Sequence, residues 1–339
     1  MNIIITILIL GIIIVVHELG HFLTAKYFKM PVEEFSLGMG PILYSYEGLH
    51  TRYSLRAIPI GGFVNIKGME VESVVKDGFN TKSSFERFVV LIAGVVMNFI
   101  LAYIIILGSL LYNGNVIQNE KPVIGNMVET SKSFGNLKIG DEILEIDGNK
   151  IELWEDISRV NNEIDSSNMK FLLKRDGEII EKEVELTFDE ERDDYYIGIL
   201  PEYSIKKYRF VDAVSESINS YKNLFTMIIV GFKQLITGQV SAKEISGPVG
   251  IVKIVGDVSQ GGVDLLLWLT ALLSINIGFF NLLPFPALDG GRIIFILFEV
   301  VGIKVNKRFE EKLHMAGMII LFGLIILITF NDILNIFNK

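Results

Sequence analysis

Residues 2–16 (NIIITILILGIIIVV) carry no charge, and the run passes without a break into HELGHFLTAKYF. A stretch this long and apolar either crosses a lipid bilayer or serves as a secretory leader. No Lys or Arg precedes it and no small-x-small cleavage site follows it, so it reads as one helix from about residue 2 to 28. What constrains the chain most is the end of that helix. Two histidines and a glutamate stand where the bilayer interior tolerates ionisable groups least.

Three further apolar segments accompany the first. Residues 88–112 (FVVLIAGVVMNFILAYIIILGSLLY) are long enough, at about 1.5 Å per residue, to cross a core of roughly 30 Å. A third span, 265–283, ends abruptly in LLPFPALDGG and is followed by a short apolar piece at 292–303. The fourth covers about 315–330. The chain has 339 residues, 50% of them apolar, and a mean hydropathy of +0.45, which suits several spans plus one soluble domain. Cysteine is absent, which excludes a disulfide framework, a thiolate metal site and a cysteine nucleophile. A net charge of −9 argues against a nucleic-acid partner, because phosphate binding needs a basic stripe.

Between the first two spans, SLGMGPILYSYEG and TRYSLRAIPIGGFVNIKG alternate β-formers with Gly and Pro, as a β-hairpin does. Between the second and third lies a soluble stretch, about 113–264. Turns at Asp147–Gly148 and Asp176–Gly177 separate strand signals. WEDISRVNNEID places Ile157, Val160 and Ile164 on one helical face. Residues 211–236 form another apolar helical face whose wholly apolar middle, LFTMIIVG, is too short for a bilayer. That segment reads as a helix packed on protein or lying at the interface. Charge orients the spans. Segment 26–87 holds eight Lys/Arg and loop 302–314 holds four (Lys304, Lys307, Arg308 and Lys312), so both are expected to be cytoplasmic, with the soluble module and both termini outside.

His17-Glu18-Leu19-Gly20-His21 is H-E-x-x-H on a helix. Imidazoles at i and i+4 stack on one face and can share an ion, while Glu18 is placed to take a proton from a metal-bound water. Ionisable groups inside a bilayer cost about 2.5–3.5 kcal/mol each on insertion scales, which makes them functional candidates. A catalytic zinc also needs a third protein ligand and an open position. The remaining ionisable residues in apolar stretches are chiefly Asp289 and Glu299, with His314 at a loop edge. Asp289 follows Pro284 and Pro286, which must interrupt the third helix. Irregular backbone at membrane depth occurs only where it is buried in protein or lines a wet cavity. Spans one and three run in the same direction, so His17, some 22 Å along its helix, and Asp289 are matched in depth. Glu299 lies further along the short helix with no backbone break beside it and ranks below Asp289.

HELGH, AGVVMNF and NLLPFPALDGGR together resemble the site-2 protease family of intramembrane zinc metalloproteases, and TRYSLRAIPIGGFV and SGPVGI are similar to its bacterial RseP/RasP branch. The resemblance covers essentially the whole chain. It implies one zinc ion held by His17, His21 and Asp289, with Glu18 as general base. It also implies a role for Asn281 in positioning substrate or stabilising charge at the scissile carbonyl. The proline often found after the family glycine is Val95 here, so Gly94 and Asn98 are expected only to pack near the site. Gly61, Gly62 and Phe63 of the hairpin are the expected substrate-presenting edge. Gly61 and Gly62 permit close backbone approach, and a substrate segment could add there as a strand.

The soluble module resembles a circularly permuted PDZ domain, with YYIGIL (195–200) as its carboxylate-binding loop. The expected fold is a polytopic α-helical membrane protein with four transmembrane helices, a membrane-associated β-hairpin and an inserted α+β PDZ-like domain. Its parts are 1–112, the first half of the protease core, with a β-hairpin region at about 35–68; 113–203, the PDZ-like domain; 204–264, an amphipathic helical linker region; and 265–339, the second half of the core. The expected partners are the lipid bilayer, single-pass transmembrane proteins or peptides as substrates, and a peptide ligand of the PDZ-like domain. By resemblance the substrates include trimmed anti-sigma factors and signal-peptide remnants, and the location is the bacterial cell (inner) membrane. Two alternatives stand beside this: a non-catalytic membrane-tethered PDZ scaffold, and a transporter using the intramembrane carboxylates. Bound zinc separates the scaffold from the enzyme, and flux that survives Glu18→Gln would mark the transporter.

Overall fold

The long apolar runs become long helices. The computed structural model describes residues 1–69, 75–161, 167–189, 194–239, 246–303 and 305–337. Ile164 and Lys304 therefore lie outside the described residues. Helix α1 spans Asn2–Tyr27, α2 Ser84–Tyr112, α6 Val263–Leu282 and α8 Lys307–Phe337. These four are long and apolar enough to cross a membrane. Their outward faces carry large apolar side chains such as Ile4 and Leu8 on α1 and Ile319 and Ile326 on α8, which water would penalise and lipid would not. Helix α7, Asp289–Val300, is the short apolar piece after the third span. Pro284 and Pro286 keep α6 and α7 from being one helix.

The chain forms two compact units, Met1–Tyr112 with Arg209–Lys339, and Asn113–Tyr208. In the first unit α2 packs against α1, α6 and α7. Close approach of α1 to α2 needs Gly20, where an added Cβ would lie 2.8 Å from the Gly94 nitrogen. One apolar core joins Ala25 at the end of α1, Val90 and Leu91 of α2, Ile293 and Ile296 of α7, and Val32 and Ile66 of the sheet.

That sheet is more than the expected hairpin. Strands β1 (Val32–Glu47) and β2 (Arg52–Ile66) pair antiparallel, but in two registers at once. Phe35 faces both Val64 and Tyr53, while Tyr44 faces Leu55. Each long strand therefore doubles back, and the order across the sheet is 62–66, 32–37, 52–58, 42–47. The corners fall at Gly38, Gly40 and Gly61, all at positive φ. Segment 62–66 is consequently an edge. Inside the sheet the Glu34 carboxylate accepts from the Ser54 hydroxyl and, at 2.7 Å, from the Arg56 guanidinium, which also lies over the Phe63 ring.

In the second unit β5 (Glu142–Ile146), β6 (Asn149–Lys150), β7 (Asn168–Arg175) and β8 (Glu178–Glu185) form a sheet in the order β6-β5-β7-β8. Both Asp-Gly turns hold their two residues at positive φ, the two-residue hairpin geometry that Asp-Gly favours. Helix α3 (Trp154–Asn161) packs Trp154, Ile157 and Val160 into a core with Phe171 and Leu173. Three two-stranded ribbons complete the unit: β3 (Asn115–Gln118) with β12 (Tyr203–Lys206), β4 (Ile124–Met127) with β11 (Ile199–Pro201), and β9 (Thr187–Asp189) with β10 (Asp194–Tyr196).

Helix α4 (Phe210–Ile236) belongs to the first unit and packs on protein. Phe225 meets Phe99 of α2 and Phe279 of α6 edge-on, with ring centroids 5.9 and 6.3 Å apart. Within the expected linker region stands a further helix, α5 (Pro248–Gln260), begun by Pro248 at its first turn. Asp332 of α8 accepts the Gly250 N–H at 2.7 Å and the Gly247 N–H at 3.3 Å, satisfying donors that a helix start leaves open.

Candidate metal centre

Helical periodicity stacks His17 and His21 on the face of α1 turned toward α2, and both are buried. Asp289 comes from the first residue of α7, directly after the interrupted backbone. His17 Nε2 lies 3.1 Å and His21 Nε2 3.3 Å from Asp289 Oδ2, and the two Nε2 atoms are 3.2 Å apart. These three are the one group of His, Asp or Glu side chains suited to a metal among the described residues.

The spacing fits a tetrahedral zinc ion. Bonds of about 2.0–2.1 Å at tetrahedral angles place neighbouring donor atoms about 3.3–3.4 Å apart. The outer ring nitrogens fit as well. His21 Nδ1 is 2.8 Å from the Val90 carbonyl, to which it can donate, leaving Nε2 free to ligate. His17 Nδ1 is 3.3 Å from the Asn98 amide nitrogen, and the Asn98 Oδ1 is buried with no partner. Turning that amide by half a rotation puts Oδ1 where it accepts from Nδ1–H. The orphaned oxygen is then satisfied, and His17 takes the tautomer that ligates through Nε2.

Helix α2 supplies this second layer because its backbone comes unusually near. A Cβ on Gly94 would stand 2.5 Å from His21 Nε2 and 2.8 Å from His17 Cε1. Asn98 is fixed from behind at its backbone, since the Ser274 hydroxyl of α6 donates to its main-chain carbonyl at 2.8 Å. Gly94 packs against both imidazoles, as its motif suggested, whereas Asn98 also faces the His17 Nδ1, which the motif alone did not indicate. The signal that could have found Asn98 is its position four residues after Gly94, on the same face of the helix.

A cavity of about 340 Å³ opens onto His17, His21 and Asp289 and is lined by Glu18, Asn281, Gly61, Gly62 and Phe63. All the site residues expected from the sequence therefore border one space. Glu18 sits against the sheet edge, with its Cγ 3.3 Å from where a Gly62 Cβ would be. Arg292, one turn after Asp289, also lines the cavity and was not anticipated. Glu299 is elsewhere, paired with Arg87 at 2.7 Å.

The profile described as Peptidase family M50 matches residues 5–324. The chain belongs to this family. Among relatives of this M50 peptidase, the "Putative zinc metalloprotease" of Fusobacterium nucleatum is 49% identical over 100% of both chains. "Zinc metalloprotease RasP" of Bacillus licheniformis is 28% identical over 98% of each chain. "Regulator of sigma-W protease RasP" of Bacillus subtilis is 27% identical, also over 98% of each. Family M50 is the site-2 protease family, so this M50 peptidase is a metalloprotease with zinc as its cofactor. The PDZ domain of the SdrC-like protein Lin2157 from Listeria innocua is 22% identical over 25% of this chain and 97% of that one, at a TM-score of 0.23. At that level the fold of Asn113–Tyr208 stands on its own strands and core.

Proposed function

We propose that this M50 peptidase hydrolyses peptide bonds within or beside the transmembrane segments of single-pass membrane proteins, with His17, His21 and Asp289 as its zinc ligands and Glu18 as its general base. One observation carries the reading: the three donor atoms converge where α1, itself long and apolar enough to span a bilayer, meets the start of the short helix α7. A zinc ion held there supplies Lewis acidity toward the scissile carbonyl and brings the pKa of a water at its open position from about 15.7 toward 7.

The chain's own groups do the rest. Glu18 takes a proton from the attacking water and delivers it to the leaving amine. Asn281, which lines the same cavity, would donate to the carbonyl oxygen as charge develops on it. The substrate's backbone is the harder problem. A transmembrane helix satisfies its own amides, and each one exposed in lipid costs several kcal/mol. The open edge at 62–66 offers replacement partners by strand addition, with Gly61, Gly62 and Phe63 presenting the segment to the base.

Residues 1–112 and 265–339 would form the protease core, with 113–203 as the PDZ-like domain and 204–264 linking back. A cavity of about 330 Å³ between α3 and β11, lined by Trp154, Ile157, Gly198 and Ile199, supports peptide binding by that domain. The basic residues of 26–87 and 302–314 support a cytoplasmic side for the sheet and the active site, with the PDZ-like domain extracytoplasmic. The membrane would be the bacterial inner membrane. The Bacillus subtilis relative's name, with its regulation of sigma-W, supports anti-sigma factors as one substrate class, and signal-peptide remnants are a second.

The test is reconstitution in nanodiscs with a single-pass reporter peptide. Wild type should cut within or beside the apolar segment, while Glu18→Gln should bind zinc but lose cleavage by a factor of about 10²–10⁴. Wild-type cleavage by that variant would remove Glu18 from its role.

A further inference from the structure

Asp289 can meet the two imidazoles only if the chain between α6 and α7 is held in one shape. Ala287, two residues before it, has φ +87°, a conformation that residues with a Cβ rarely adopt. Such a conformation persists only where its surroundings over-determine it. The surroundings come from α8. The Ala287 N–H donates to His314 Nδ1 at 3.0 Å. One turn along, Gly317 lets the same loop sit directly on the helix, for a Cβ there would lie 2.6 Å from the carbonyl carbon and Cβ of Pro286. The Phe295 ring of α7 stands edge-on to the imidazole, with centroids 5.6 Å apart, and so limits its rotation.

The hydrogen bond dictates the tautomer of His314. An Nδ1 that accepts leaves the proton on Nε2, which is buried and has no partner among the described residues. An unpaired buried N–H is unfavourable, so the imidazole is retained for what its other nitrogen does. His314 lines none of the cavities at the centre and touches no ligand; its action is through Ala287.

We propose that His314 is a positioning residue for Asp289. By accepting the Ala287 N–H it holds the left-handed turn before α7 and thereby sets the carboxylate among the imidazoles. The inference rests on Asp289 being a zinc ligand, and the experiment separates the two.

The measurement is zinc affinity by chelator competition on the full-length protein in nanodiscs, independent of any substrate. Five variants are compared with wild type: H314A, H314N, A287G, A287G/H314A and D289A. Loss of an outer partner of a ligand typically weakens metal binding about 10–100-fold, and H314A should weaken it about 10-fold. H314N should stay near wild type, because Oδ1 of an asparagine occupies the place of Nδ1. A287G/H314A should recover to near wild type, since glycine adopts positive φ without help. Wild-type affinity in H314A overturns the proposal, as does a double variant as weak as H314A. If H314A does not fold, H314N and the double variant decide alone: zinc lost in both overturns it. Unchanged zinc in D289A would instead reject the ligand assignment, and this inference with it; weak zinc in D289A beside wild-type zinc in H314A rejects the positioning role only.

Discussion

His17 and Asp289 are 272 residues apart in the chain, yet Nε2 of one lies 3.1 Å from Oδ2 of the other. Nothing local enforces that meeting. It is the product of α1, α2 and α7 packing against a shared core, and the groups that hold the two imidazoles in place are where it can be tested.

Asn98→Ala removes the group facing His17 Nδ1 and leaves that nitrogen buried without a partner. Zinc should bind about 10–100-fold more weakly while the helices stay formed. Chelator competition measures the first and circular dichroism the second. An unchanged zinc affinity would mean that His17 needs no orientation from α2.

Gly94→Val tests the space rather than the bond. A side chain there has to displace both imidazoles or push α2 away from α1, at a cost of about 1–3 kcal/mol. Zinc retention and thermal stability should fall together. A variant that keeps full zinc occupancy would show that the imidazoles can move aside.

Gly62→Ala addresses the sheet edge. Its Cβ would come within 2.9 Å of the Ser36 carbonyl and 3.3 Å of Glu18 Cγ. Cleavage of a single-pass reporter should drop while zinc content is unchanged. Equal turnover by wild type and variant would argue against this edge as the presenting surface.

The sheet also carries an acid sensitivity. Burial opposes the charge on Glu34, but the Ser54 hydroxyl and the Arg56 guanidinium outweigh it and hold the carboxyl below its ordinary value. A carboxylate with a depressed folded pKa stabilises above its unfolded value, about 4.3, and this stabilisation is lost as pH falls through the folded pKa. The hydrogen-exchange protection of residues 32–66, relative to the intrinsic rate at each pH, should therefore fall below about pH 4 in wild type. Glu34→Gln should weaken the sheet by about 1–3 kcal/mol at neutral pH and flatten that dependence. Identical exchange profiles would leave the Glu34–Arg56 pair without a stabilising role.

The four apolar helices and the H-E-x-x-H face are legible in the amino-acid sequence because each depends on local physics, length against bilayer thickness and a four-residue stacking interval. Asp289 is legible for a different reason: Pro284 and Pro286 in an apolar run demand a backbone break just before it. What could not be read is tertiary. The doubling of β1 and β2 depends on the corners at Gly38, Gly40 and Gly61 acting together. The contact of Asn98 with His17 depends on which face of α2 meets α1. Helix α5 was hidden by composition, for PVGIVKIVGDVSQ is rich in β-branched residues and contains two glycines, and the Asp332 carboxylate that caps it arrives from the last helix.

The distance along the chain between the imidazoles and the carboxylate governs when this enzyme can become dangerous. Ribosomes add about 5–20 residues per second, so roughly 14–54 s separate synthesis of His17 from that of Asp289. Through that interval the growing polypeptide holds the two imidazoles without the carboxylate that joins them in the finished fold. A hydrolase whose donor set closes only when the chain is almost fully made stays inert toward the insertion machinery through most of its own synthesis.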